Sequence, residues 1–278
     1  MKSFLLLAGL AANAWTAGFE WSGPVAGRLT LRQDGRVVFV YHHGEGRDCC
    51  FLHPVSTPAG VTVTDAGPAD HVHHRGVFWS WPQVEAGGQK GDLWLGKGAI
   101  HKFERIAEFK GGAKSAHLRA MHSWLLNGKP VVRETVVIQV HPADLRSQNF
   151  DVTLTLEAIQ DAVNIAGSPD RDKGYGGFSA RFAAREETAI LSSDGPVAKD
   201  EDHVPHRWAQ LEGTFVTGRA GLRITPDPAN PATPNEWCLR NYGFVGATFP
   251  GQKGFRIEPK KPVTLRYQVT VFDSEAKK

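Results

Sequence analysis

The sequence has little of what would assign the chain to several broad protein classes. It contains three cysteines and two methionines, and no apolar run reaches the ~18 residues of a membrane-spanning helix. Its 32 basic and 29 acidic residues nearly balance and form no block of one sign, so neither a nucleic-acid partner nor an anionic membrane is indicated. Hydrophobic residues make up 41% of the 278, which excludes intrinsic disorder and predicts a large core.

Several catalytic and metal-binding motifs are also missing. There is no G-x-S-x-G nucleophile elbow, no H-E-x-x-H helix and no G-x-x-x-x-G-K-[ST] phosphate loop. Cys49 and Cys50 are adjacent and Cys238 is distant, so at most one ordinary disulfide is available and no C-x-x-C pair exists for a zinc ribbon or a thioredoxin-type site. We interpret the three cysteines as small buried apolar residues.

The first 17 residues have the pattern of a secretory signal peptide. Lys2 supplies the positive charge, residues 4–12 form a short apolar segment, and Ala12-Asn13-Ala14 is a small-x-small cleavage site. A frayed N-terminal helix of a cytosolic protein is the alternative. The pattern predicts removal of residues 1–17 and a single secreted or periplasmic domain over residues 18–278.

Most of the remaining chain alternates between polar and apolar residues with a period of two. Segments 28–32 and 37–41 flank an Asp34-Gly35 turn and predict a β-hairpin. No stretch of 12 or more residues keeps the 3.6-residue period of a helix. Five further segments alternate in the same way: 131–140, 150–159, 178–183, 221–225 and 263–272. This pattern is typical of an all-β sandwich or barrel, and we predict a large antiparallel β-sandwich, with the proline-rich residues 215–240 as a long functional loop.

Histidine is the unusual residue, with 12 in the chain. Three of them fall in the segment D-H-V-H-H-R-G at residues 70–76. If this segment is a strand, His71 and His73 share one face and could chelate a metal together with a third ligand such as His101. A polar network that ties a loop to the sandwich is the non-functional interpretation.

The same segment suits acid–base chemistry. A histidine near Arg75 has its protonated form disfavoured, and one near Asp70 has it favoured, so one base and one acid are expected. We assign proton transfer to His73 and His74 and the binding of a substrate oxygen to Arg75.

Two residues elsewhere could assist in catalysis. Lys173 lies in the glycine-rich segment 170–178, where the backbone can approach a ligand and a cation could stabilise developing negative charge. A surface turn is the alternative there. Glu134 lies in an otherwise apolar strand, where an inward carboxylate needs a partner.

Aromatic and planar polar side chains indicate a sugar as the ligand. Aromatic faces stack on the C–H faces of sugar rings, while forked polar groups bind the hydroxyls. The predicted substrate-binding residues are His53, Trp79, Trp81, Trp208, Trp237, Arg240 and Tyr242. For each tryptophan taken singly, core packing is the alternative.

Four blocks of the sequence resemble a known bacterial family. They lie at residues 51–58, 70–81, 173–182 and 230–243, and D-H-x-H-H-R-G is the most specific of their motifs. The family is secreted and is filed as methane oxygenase PmoA. The chain departs from it at Lys173-Gly174-Tyr175, where the family has an acidic residue after the lysine.

The resemblance implies a fold similar to mutarotase-type sandwiches that handle sugars. It also implies a role in carbohydrate catabolism, because members of the family accompany sugar oxidoreductases. It does not imply methane oxidation, since the genuine methane-oxidising subunit is an integral membrane protein.

Three hypotheses follow from the sequence. The first is a secreted enzyme, a hydrolase, lyase or isomerase, that acts on a glycoside or an oxidised keto sugar through His/Arg acid–base chemistry. The second is a metalloenzyme, an oxygenase or a metal-assisted hydrolase or lyase, that holds a divalent metal on His71, His73 and His101. The third is a non-catalytic sugar-binding module. In each case the partner is a small carbohydrate, with no membrane insertion.

Overall fold

The computed structural model describes residues 17–43 and 49–275. The predicted cleavage site lies outside these residues, so the signal peptide stays a prediction. Within them the regular secondary structure is almost entirely β-strand, and the one helix is a single 3₁₀ turn at Asp170–Asp172. None of the described helical structure is long and apolar enough to cross a bilayer.

Two large antiparallel sheets, each of nine strands in the described part of the chain, form the fold. We number strands along the chain. In spatial order the first sheet contains β1 (Phe19–Val25), β2 (Arg28–Gln33), β3 (Arg36–His42), β4 (Phe51–Val55), β5 (Val77–Ser80), β13 (Gly177–Arg181), β20 (Phe244–Thr248), β19 (Glu236–Arg240) and β16 (Glu201–Pro205).

The second sheet, in the same convention, contains β15 (Gly195–Val197), β14 (Glu186–Ser192), β17 (Ala209–Phe215), β18 (Gly218–Pro226), β22 (Val263–Asp273), β11 (Ser147–Ala158), β10 (Lys129–Val140), β9 (Ala116–Leu126) and β8 (Ala99–Gly111). A small third sheet contains β21 (Phe255–Ile257), β12 (Val163–Ala166), β6 (Gln83–Ala86) and β7 (Gln89–Gly91). All three sheets contribute side chains to one hydrophobic core. The predicted large antiparallel β-sandwich is confirmed.

Local turn chemistry sets the hairpins. The β9–β10 connection is Asn127-Gly128, with φ of 48° and 81°, a left-handed pair that only such residues adopt easily. The Asp34-Gly35 hairpin also forms as predicted, between β2 and β3. The prediction of one long loop over residues 215–240 was wrong, because β18 and β19 both lie entirely within it and the connection between these strands is residues 227–235.

Alternation within the first sheet separates two environments. On β5, Val77 and Trp79 point to the inner face, where the two large sheets share the core, whereas Phe78 points to the outer face. A second, smaller cluster of buried residues covers this outer face: Cys49, Phe51, Phe78, Trp94, Cys238 and Phe244. The outer cluster forms the floor of the candidate site.

Candidate functional site

A cavity of about 230 Å³ opens above the outer cluster of the first sheet. Its lining combines imidazoles, cations and aromatic rings from four separate parts of the chain: His71, His73, His74, Trp94, Asp170, Lys173, Tyr175, Cys238, Arg240, Tyr242 and Phe244. The cavity is smaller than the ~300–1,000 Å³ of pockets that bind drug-sized ligands, so it suits a ligand of one ring.

The histidine segment is a pair of turns and not the strand that was considered. The His71 amide donates to the Pro68 carbonyl at 3.0 Å, and the His74 amide donates to the His71 carbonyl at 2.9 Å. These turns bring the His71 and His74 rings into a stack, with centroids 4.5 Å apart and planes 15° apart. His73 lies edge-on to His74 at 4.8 Å. All three imidazoles therefore reach one cavity, which alternation along a strand would prevent.

A glycine makes this tight turn possible. Gly76 has φ of +29°, and a Cβ at this position would lie 2.0 Å from the Leu52 carbonyl oxygen. The turn therefore sits directly against β4, where no side chain fits.

Asp70 anchors the turn to the sheet. Its two oxygens each lie 2.7 Å from Nη2 of Arg181 on β13, and its Oδ2 lies 3.0 Å from Nδ1 of His71. The hydrogen bond from Arg181 holds the pKa of the Asp70 carboxyl well below its usual range, despite the exposure of that side chain. The carboxylate favours a proton on Nδ1 of His71, which leaves Nε2 as its basic nitrogen.

The remaining two histidines are neutral at pH 7. Burial lowers the pKa of His74 to about 2, assisted by the charges of its histidine neighbours and of Arg181. Burial also lowers the pKa of His73. At His74, desolvation outweighs the attraction of Asp70. The histidine that contacts Asp70 is His71, so the expectation of one base and one acid in this segment stays a prediction.

Lys173 and Arg240 bring cations to the opposite wall. Arg240 Nη1 donates to the Glu201 carbonyl at 2.7 Å, and its Nη2 donates to Asp202 Oδ1 at 2.5 Å, which fixes the guanidinium against the edge strand β16. Lys173 Nζ lies 3.8 Å from Asp170 Oδ2 and is one-third exposed, so it is the freer of the two. Both cations could stabilise negative charge on a bound oxygen.

Three predicted tryptophans are in the core and not in the cavity. Trp79, Trp81 and Trp237 are fully buried on the inner side. Each indole is already engaged as a donor, for example from Trp237 to the His206 carbonyl at 2.8 Å. Their predicted role as sugar platforms was wrong, because period-two alternation places them on the face opposite the cavity.

Three other predicted residues are also absent from the cavity lining. Trp208 packs against the Arg223 guanidinium, 4.1 Å from its ring centroid. His53 contacts Thr64 Oγ1 at 3.1 Å. Arg75 turns back to bond carbonyls of its own turn, at Val72 and His74. The proposed role of Arg75 in binding a substrate oxygen is therefore not supported by its position.

The predicted metal trio is split between the outer cavity and the interior of the sandwich. His101 is buried between the sheets, with Nδ1 3.2 Å from Glu134 Oε2, whereas His71 and His73 line the outer cavity. Glu134 is fully buried beside His101 and cannot assist chemistry in the cavity. The stacked His71 and His74 rings also cannot aim in-plane lone pairs at one ion.

Several lining residues were not predicted. Trp94 lies in no motif and reaches the cavity only through the β7–β8 connection. Tyr175 falls inside the glycine-rich segment that was singled out, and its ring lies 5.2 Å from that of Trp94. Cys238 shares the outer face with Arg240, two residues away, and burial raises the pKa of its thiol to about 12. Tyr175 had a signal in the glycine-rich segment and Cys238 had one in the strand period, whereas Trp94 had none.

The predicted disulfide alternatives are settled by burial and position. Cys49, Cys50 and Cys238 are all buried, and none of them forms a disulfide within the described residues. Cys50 faces the inner core, whereas the other two belong to the outer cluster.

Comparison with known proteins gives a family and no activity. No curated protein matches the chain. A family model matches residues 28–278, nearly all of the described structure, and carries no support for the methane oxygenase name. The chain belongs to DUF6807, a family of unknown function.

Proposed function

We propose that the outer cavity binds a single sugar ring and that the protein is a carbohydrate-active enzyme using histidine-centred proton transfer. The observation that carries this proposal is the convergence of three imidazoles, two cations and four aromatic rings on one small cavity. Trp94, Tyr175 and Tyr242 offer faces for ring C–H groups, and the polar groups suit hydroxyls.

The small number of carboxylates in the cavity favours a reaction of a keto sugar over ordinary glycoside hydrolysis. Standard glycosidases flank the scissile bond with two carboxylates. Among the described residues that line the cavity, only Asp170 carries one. Neutral imidazoles instead suit removal of a proton next to a carbonyl, and a cation such as Lys173 suits the enolate oxygen that forms. We therefore favour a lyase or isomerase acting on an oxidised sugar or its glycoside.

The roles follow from exposure and contacts. His73, half-buried and neutral, is the proposed base. His74 is buried behind it and positions its ring by edge-on contact. Lys173 and Arg240 hold the developing oxyanion, and the Asp70–His71 pair sets the orientation of the turn that carries all three imidazoles.

The test replaces the base and one aromatic wall. His73→Gln and Trp94→Leu are assayed on a panel of glycosides and keto-glycosides by product analysis, with sugar binding measured by calorimetry. His117→Gln, on β9 of the second sheet, is the matched control. We expect His73→Gln to lose about 10²–10⁴-fold in kcat with binding retained, and Trp94→Leu to lose binding.

Two outcomes contradict the proposal. If both variants turn over every active substrate as wild type does, the cavity is not the active site. If the wild type binds sugars but converts none, and His73→Gln binds equally, the protein is a sugar-binding module.

A further inference from the structure

We infer that a second site, inside the sandwich, binds a transition-metal ion through Cys50, His101 and Glu134. The donor atoms of these three side chains all lie within 4.8 Å of one another, and all three residues are buried. The site is independent of the outer cavity because it lies between the two large sheets.

The His101 ring is a buried polar group without adequate hydrogen-bond partners among the described residues. His101 is 3% exposed, and its Nε2 has no hydrogen-bond partner among the described residues. Its Nδ1 lies 3.2 Å from Glu134 Oε2 but is not aligned for a hydrogen bond. An unpartnered polar group in a protein interior costs about 1–3 kcal/mol, so a histidine with two poorly used nitrogens indicates a missing ligand or ion.

The distance between the His101 and Glu134 donor atoms fits a zinc site. In a tetrahedral zinc site, a nitrogen and an oxygen each ~2.0–2.1 Å from the metal lie about 3.3 Å apart. The 3.2 Å separation between His101 Nδ1 and Glu134 Oε2 matches this value. The corresponding nitrogen–sulfur separation is about 3.5 Å. Because the donor atoms already lie within 4.8 Å of one another, a shift of at most ~1.3 Å by the Cys50 side chain brings its sulfur to that separation.

Two tryptophan side chains around the proposed ligands hold Glu134 in place. The Glu134 carboxylate accepts the indole N–H of Trp79 at 2.5 Å and that of Trp124 at 3.0 Å, which orients it. Metal-ligating carboxylates are held in this way by outer hydrogen bonds. One thiolate, one imidazole and one carboxylate form a borderline-soft donor set that suits zinc among biological divalent ions.

The site would join the two large sheets. Cys50 immediately precedes β4 of the first sheet, whereas His101 and Glu134 lie on β8 and β10 of the second. Since the ligands are enclosed, the ion would enter during folding and add to stability instead of reacting with substrate.

The experiment measures metal content in protein made without a histidine tag. The wild type, Cys50→Ser and His101→Gln are refolded with Zn²⁺ or Co²⁺, desalted and analysed by mass spectrometry and absorption. Cys238→Ser, a buried cysteine of the outer cluster, is the control. We expect roughly one ion per chain in the wild type and in the control, and a thiolate-to-cobalt charge-transfer band in both when they hold Co²⁺. We expect Cys50→Ser and His101→Gln to lose about tenfold or more in affinity for the ion.

Two results overturn the inference. One is a wild type that carries less than about a tenth of an ion per chain after refolding with metal. The other is metal binding without a thiolate band, or binding that Cys50→Ser retains, since the ion would then lie elsewhere, for instance at the outer histidines. If His101→Gln does not fold, the wild-type stoichiometry and cobalt spectrum decide.

Discussion

Acid should destabilise this protein through two buried histidines, His74 and His122. Burial lowers the folded-state pKa of His74 to about 2 and that of His122 to about 4, from a reference of 6.5. A group with a lowered folded pKa is protonated first in the unfolded chain. The stability it contributes is therefore complete above pH 6.5 and is lost as the pH falls towards the folded pKa.

The loss of folding stability depends on how far the pH lies below 6.5, the pKa of an unfolded histidine. Each pH unit below 6.5 costs ~1.36 kcal/mol per histidine while the folded form stays neutral. At about pH 5 this amounts to ~2 kcal/mol for each of the two, or ~4 kcal/mol together. That is a large part of the ~5–15 kcal/mol by which domains are usually stable.

The assay is urea unfolding followed by tryptophan fluorescence at about pH 7.5 and pH 5. We expect His74→Asn to lose ~2 kcal/mol less than the wild type between these pH values, because one titrating group is gone. His117→Gln, a half-buried residue on the second sheet, should behave as wild type. Carboxylates also titrate in this range, but they are common to all three proteins and cancel in the comparison.

The reasoning is refuted if His74→Asn loses as much stability as the wild type between the two pH values. It is also refuted if the wild type is equally stable at both. Either result would mean that the histidine turn opens to water and that burial does not control its protonation.

Two further predictions concern packing around the site. Gly76→Ala should cost about 3 kcal/mol or more, seen as a lowered urea midpoint or as insoluble protein, because its Cβ would overlap the Leu52 carbonyl; a stability equal to wild type would show that the turn can move away from β4. Trp237→Phe should cost about 1–3 kcal/mol by leaving the His206 carbonyl without its indole donor, while sugar binding in the outer cavity stays unchanged; loss of binding at full stability would restore the platform role.

The strands could be predicted because their signal is local. Alternation over 131–140 and 263–272 appears in the structure as β10 and β22. The Asn127-Gly128 pair forms the turn between β9 and β10, as expected for this dipeptide. Once a strand is known, the odd or even position of each residue along it decides which face of the sheet its side chain occupies. Trp237 and Arg240 have opposite parity on β19 and face opposite sides of the sheet, so the prediction that both bind the substrate was wrong for Trp237.

The histidine segment shows the limit of that local signal. Its composition marked it as a candidate site, but a strand would have divided the three imidazoles between two faces. The two consecutive turns that bring them together depend on the Arg181 contact to Asp70 and on the close approach of Gly76 to β4. Both partners are distant in sequence.

By itself, the sequence determined the fold class, most strands of the hairpins and the segments rich in chemistry, because alternation and turn residues act over a few positions. Only the tertiary structure decided which of those segments share a cavity. Trp94, Lys173 and Arg240 meet His73 across separate connections, whereas His101 and Glu134 belong to the second sheet and lie inside the sandwich. The reason is physical: which face a side chain occupies is local, but which strands become neighbours depends on burying one common core.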